Sequence, residues 1–181
     1  MLKKLLVCLF ILTNSNHVKS SGYDVFSYGY FDYVRWFNDG PKADEAYDFR
    51  YERRFGNSVF DIGPESENFF YLKPFAGIEL TSDSASYLIG GVYLEDNLGT
   101  LFVGKKSNFL LTPSVGVGLY DDGSGKKMGN IIQFRTTIEL SYELESKNRI
   151  GISLGHISNG NIGHVNPGSE ILNFSYQIPF N

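Results

Sequence analysis

From residue 25 to the C-terminus, apolar and polar side chains alternate with a period of two nearly everywhere, the signature of strands with two unlike faces. The clearest case is 131–145. Ile132, Phe134, Ile138, Leu140, Tyr142 and Leu144 share one face, and Gln133, Arg135, Thr137, Glu139, Ser141 and Glu143 share the other. Residues 148–159 repeat the scheme with Ile150, Ile152 and Leu154 opposite Gly151, Ser153 and Gly155. Residues 169–180 repeat it again with Leu172, Phe174, Tyr176, Ile178 and Phe180 opposite Asn173, Ser175 and Gln177. Further strands are predicted at 25–37, 46–55, 69–81, 85–95 and 108–120, which makes eight. The run 97–107 reads ambiguously, as an extension of a neighbouring strand. Segments 38–45, 61–68 and 121–129 are rich in Asp, Gly, Lys and Ser and read as exposed loops, with short turns near 82–84 and 146–148.

Strands of this length are the next clue. Globular strands usually run about 5 or 6 residues, whereas a tilted membrane strand needs about 9–11. Length, an even count and a polar second face together predict an all-β chain, an eight-stranded antiparallel transmembrane barrel. In so small a barrel the inner positions are filled by side chains, so Arg135, Glu139 and Glu79 should pair in the lumen.

Residues 1–20 read as a secretory signal peptide. Lys3 and Lys4 precede an apolar core from Leu5 to Leu12, and Ser20 stands at a small-residue cleavage site. That divides the chain into a leader, 1–20, and a barrel, 21–181. The lone cysteine, Cys8, falls in the leader, so the remainder has no thiol for disulfides, nucleophilic attack or metal binding. The leader also takes three of the 16 basic residues and no acids, leaving 13 basic against 20 acidic. Such a balance argues against a nucleic-acid partner. No metal-ligand spacing, phosphate-binding loop or dinucleotide fingerprint is present, and no cofactor is expected. Twelve Tyr and 15 Phe fit an outer-membrane barrel, where Tyr28, Tyr30 and Trp36 read as interfacial or lipid-facing.

Eight strands with the N-terminus in the periplasm return the C-terminus to the periplasm, so loop 159–168 is extracellular. Chemistry gathers there. Side chains two apart on a strand point the same way, so His156 and Ser158 continue the outward row of Ile150, Ile152 and Leu154. Glu170 continues the row of Leu172, Phe174 and Tyr176. Polar groups on a lipid-facing surface are costly unless partnered. A serine activated by a histidine that a carboxylate orients supplies one joint explanation, acyl transfer. Asn159, Asn166 and backbone N–H groups of the loop are candidate oxyanion donors. An interfacial histidine with a strand-end serine is the plainer reading of His156 and Ser158 alone. Glu170 at matched parity counts against it.

These residues carry a family resemblance. His156-x-Ser158-Asn159 followed by Asn166-Pro167-Gly168-x-Glu170 resembles the lipid A 3-O-deacylases, the PagL family of outer-membrane enzymes. Residues 111–118 followed by Tyr120 also look like that family's fifth strand. The resemblance implies Ser158 as nucleophile, His156 as base, Glu170 as orienting acid and Asn159 as an activity-supporting asparagine. It further implies an outer-membrane barrel, with a homodimer possible, that removes the 3-O-linked hydroxyacyl chain of lipid A in the outer leaflet. Gly160-Asn161 departs from the Ala-Gly common there, and Asn181 follows the terminal Phe180. Lys105-Lys106 and Lys126-Lys127 read as solvated surface, or as contacts for lipid A phosphates if they lie outside; His164 reads as solvated. The rival readings are a non-catalytic barrel with a structural or binding role, and a phospholipase or acyltransferase on the same scaffold.

Overall fold

The computed structural model describes residues 21–34, 46–61 and 71–181. Eight long strands form the wall: β1 (Gly22–Phe31), β2 (Ala46–Phe55), β4 (Tyr71–Thr81), β5 (Ser86–Tyr93), β7 (Phe109–Asp121), β8 (Ile132–Glu143), β9 (Arg149–Ser158) and β10 (Ser169–Phe180). Two-residue strands β3 (Phe60–Asp61) and β6 (Asp96–Asn97) are appended to β4 and β7. Neighbours pair antiparallel in the order β2-β1-β10-β9-β8-β7-β5-β4, and a β2–β4 ladder closes the ring. Closure leaves no long strand edge, as lipid requires.

The alternation read from the sequence places its two faces as expected. Ile138, Leu140, Ile150, Ile152, Leu154, Phe174 and Tyr176 are exposed on the outer wall, where lipid covers them. The inward set is almost entirely polar and buried. Arg135 bridges Glu79, at 2.9 Å, and Glu52. Arg54 meets Glu139 at 2.6 Å, and Gln177 donates to Glu139 at 2.8 Å. Buried charges persist only when paired and hydrogen-bonded, and here each guanidinium answers a carboxylate from another strand. At the end of β10 the Arg53 guanidinium lies 4.1 Å from the Phe180 ring centre, so that terminal aromatic is packed despite the following Asn181.

Three readings change. The strand predicted at 25–37 ends at Phe31; its continuation from 35, with Trp36, lies outside the described residues, as do loop 38–45, residues 62–68 and the leader. The run 97–107 does not extend a strand beyond Asn97. It forms a six-residue helix, α1 (Leu98–Val103), because Asn97 caps its start and Gly104, at φ 69°, ends it. Loop 121–129 is not wholly exposed: Lys126 and Met128 are buried. Lys126 Nζ lies 2.8 Å from Asp32 Oδ1 just beyond β1, so the loop folds over the barrel mouth. Lys105 and Lys106, by contrast, lie exposed near the opposite end, so the two lysine pairs form no common patch.

Candidate active site

The site is built at the top of the β9–β10 hairpin. The ladder sets Glu170 directly across from His156, and on the other side β8 sets Thr136 across from His156 and Phe134 across from Ser158. His156 Nδ1 lies 3.4 Å from Glu170 Oε1, a contact looser than a tight hydrogen bond. Both side chains remain about half exposed, at 49% and 42%. Among the described residues no hydrogen bond joins Ser158 to His156, and His156 Nε2 has no partner. The histidine and the carboxylate are therefore together, while the serine shares their face without being locked to them.

Below His156 the outer wall carries a shallow groove of about 400 Å³. Its floor is the row Ser114, Thr137 and Gly155, in register across three strands, and Pro113, Ile138 and Leu154 form the next row. The groove runs between the outward row of Thr136 and His156 and the outward row of Pro113, Ile138 and Leu154, so the depression reaches His156 along the lipid-facing surface.

Asn159 and Asn166 are both engaged in contacts within the loops at the barrel mouth. The Asn159 amide donates to Met128 O at 3.0 Å and to Val165 O at 2.7 Å, and its Oδ1 accepts from Asn161 N at 2.9 Å. Fully buried, it spends its side-chain donors on holding loop 159–168 against loop 122–131. Asn166 Oδ1 accepts from Asn159 N at 3.0 Å, and its amide donates to Asn161 Oδ1 at 3.1 Å. Gly160 and Asn161 stand at φ 61° and 64°, a left-handed pair that suits Gly and Asn. Gly168, at φ 61°, backs the imidazole, and a Cβ there would lie 3.1 Å from His156 Cε1. His164 is exposed in the same loop.

Spacing gave no signal for two further contributors. Asp32 and Lys126 are far apart in sequence, and only closure of the barrel brings them together. The groove depends on a row crossing β7, β8 and β9, which no single strand displays.

Fold and site together define a class: a small bacterial outer-membrane β-barrel with ionisable and nucleophilic side chains on its lipid-facing wall. A family model described as "Lipid A 3-O-deacylase (PagL)" matches residues 81–179, which take in the whole site. The chain belongs to the PagL family. It is 32% identical over 74 residues to the lipid A deacylase PagL of Bordetella bronchiseptica, an alignment covering 40% of this chain. The chain spans about two fifths (42%) of that relative's length in this match. In fold it is similar to the crystal structure of the outer membrane enzyme PagL, with a TM-score of 0.65 at 13% identity, covering 87% of this chain and 99% of that one. Neisserial surface protein A is a more distant likeness, with a TM-score of 0.51 at 10% identity over 88% of this chain and 96% of that one. Neither the comparisons nor the described residues support the homodimer.

Proposed function

We propose that this protein is an ester hydrolase that removes the 3-O-linked hydroxyacyl chain of lipid A from within the outer leaflet. The single observation that carries the reading is the His156–Glu170 contact on the lipid-facing wall, with Ser158 on the same face. An ionisable pair at that place costs energy and contributes nothing to the lumen network, so it calls for a membrane substrate. Family membership supplies the ester.

In this mechanism Glu170 holds Nδ1 of His156, fixing the tautomer that leaves Nε2 free to accept a proton. Ser158 Oγ attacks the ester carbonyl as its proton passes to Nε2. The tetrahedral adduct collapses, the C–O bond to the sugar breaks, and His156 returns the proton to the departing sugar oxygen. Water, deprotonated by the same nitrogen, then attacks the acyl-serine and releases the fatty acid, restoring Ser158. Productive Ser–His hydrogen bonds often tighten only when substrate is bound, so their absence beforehand is compatible with this route. The groove beside Leu154 and Ile138 receives the acyl chain, and backbone N–H groups of loop 159–168 face the oxyanion. Asn159 supports them by ordering the loop, since its own amide is committed to Met128 and Val165.

The test is lipid A extracted from membranes carrying the wild-type chain or Ser158→Ala and weighed by mass spectrometry. Wild type should remove the mass of one hydroxyacyl chain and the variant should not. Identical acylation patterns would sink the esterase reading and leave a non-catalytic barrel. Offering purified protein phospholipids beside lipid A decides the other rival, since release of glycerophospholipid chains alone refutes lipid A as substrate.

A further inference from the structure

Helix α1 is an expense with no visible return inside the fold. Six residues are too few to be stable alone, and none of the six is buried. Yet the excursion from 94 to 108 is tightly built. Asn97 Oδ1 accepts from Thr100 N and Ser107 N, its amide donates to Ser107 O at 2.6 Å, and Ser107 Oγ accepts from Gly99 N at 3.1 Å. β6 pins the start of the excursion to β7. What this scaffold holds out is a run of apolar side chains: Leu101 is 53% exposed, Phe102 80% and Val103 73%.

Position gives that run a partner. At the end of the excursion Asn108 donates to the Tyr142 hydroxyl at 3.3 Å, and Phe109 packs edge-on against Tyr142 at 5.0 Å. In the same cross-strand row, two strands further round, Asn148 donates to the Tyr176 hydroxyl at 2.6 Å. Tyrosines with an apolar body and a hydrogen-bonded tip mark the membrane–water boundary, here at the end of the barrel opposite His156. The apolar run sits beside that boundary, and Lys105 and Lys106 follow it, exposed and without an ion-pair partner among the described residues. Apolar side chains flanked by lysines at headgroup depth suit an acyl–phosphate boundary.

We propose that α1 is a foot set in the phospholipid leaflet opposite the active site. Leu101, Phe102 and Val103 enter the interface, and Lys105 and Lys106 rest on anionic lipid headgroups. The leaflet's identity rests on the orientation given by the proposed function. The contact itself does not depend on hydrolysis.

Nitroxide depth measurement tests it in the full chain reconstituted into vesicles. Cys8→Ser removes the native thiol, and a spin label is attached to Phe102→Cys. Ser124→Cys serves as the water reference and Ile152→Cys as the lipid reference. The oxygen-to-nickel accessibility ratio at 102 should shift from the value at 124 toward that at 152; equality with 124 overturns the proposal. Lys105→Glu with Lys106→Glu should move 102 back toward water in vesicles containing phosphatidylglycerol but not in pure phosphatidylcholine. The same position in both lipids overturns the contact with anionic headgroups. Lipid A cleavage by the same samples is read separately. A protein that cleaves while 102 stays in water loses only the foot, and one that fails to cleave with 102 in the interface loses only the esterase.

Discussion

Replacing Lys126 by Met should loosen the active-site loop from a distance. Lys126 and Asp32 meet at 2.8 Å with side chains 4% and 1% exposed. At an effective dielectric of about 20 their attraction is on the order of 6 kcal/mol, before the cost of desolvating both. Lys126→Met forfeits that attraction and leaves the Asp32 carboxylate buried, and breaking such a pair from one side costs about 3–5 kcal/mol. Removing both charges should recover much of the loss. Asp32 stands at φ 62°, so Asn, which tolerates that region, is the suitable second change. Loop 122–131 presents Met128 O to Asn159, so the destabilisation reaches loop 159–168. Urea unfolding followed by circular dichroism should place Lys126→Met well below wild type and Asp32→Asn/Lys126→Met between them. Limited proteolysis should cut loop 122–131 faster, and lipid A cleavage should fall in the same order. A Lys126→Met protein within 1 kcal/mol of wild type, or a double variant less stable than the single, would refute the reasoning.

Gly168→Ala combines a left-handed φ of 61° with a Cβ 3.1 Å from His156 Cε1. It should cost about 1–2 kcal/mol of stability and, by displacing the imidazole, up to about a hundredfold in lipid A cleavage; a folded variant with wild-type cleavage would show that Gly168 does not set the ring. Glu95→Gln concerns acid stability at the opposite end of the barrel. Burial by itself raises the Glu95 pKa, but Arg149, at 2.6 Å, and Lys73, at 3.7 Å, outweigh it and hold the carboxyl below its ordinary value. A folded pKa below the unfolded one, about 4.3, means stabilisation present above that pH and lost as pH falls further. Glu95→Gln should thus unfold at lower urea than wild type at pH 7, with the gap narrowing below about pH 4; a gap constant between pH 7 and pH 3 rules out this linkage.

Strand count, the two faces and the parity that puts His156, Ser158 and Glu170 on the outer wall were all legible along the chain. These follow from a period-two pattern, which is local and survives in one dimension. It also determined that Arg135, Glu79 and Glu139 would be inside, since charges on the inward parity have nowhere else to pair. Capping at 97–104 was legible in principle, in an Asn before the turn and a Gly after it, but the short apolar run there has no length to separate helix from strand. Which distant residues meet depends on the closed barrel. Ring closure brings Lys126 to Asp32, three-strand register carves the groove at Gly155, and the packing of two loops turns Asn159 inward to hold Met128 and Val165. Registers between strands and the spending of hydrogen bonds between loops are long-range quantities, set by which backbone groups lie within about 3 Å of one another, and no spacing along the chain encodes them.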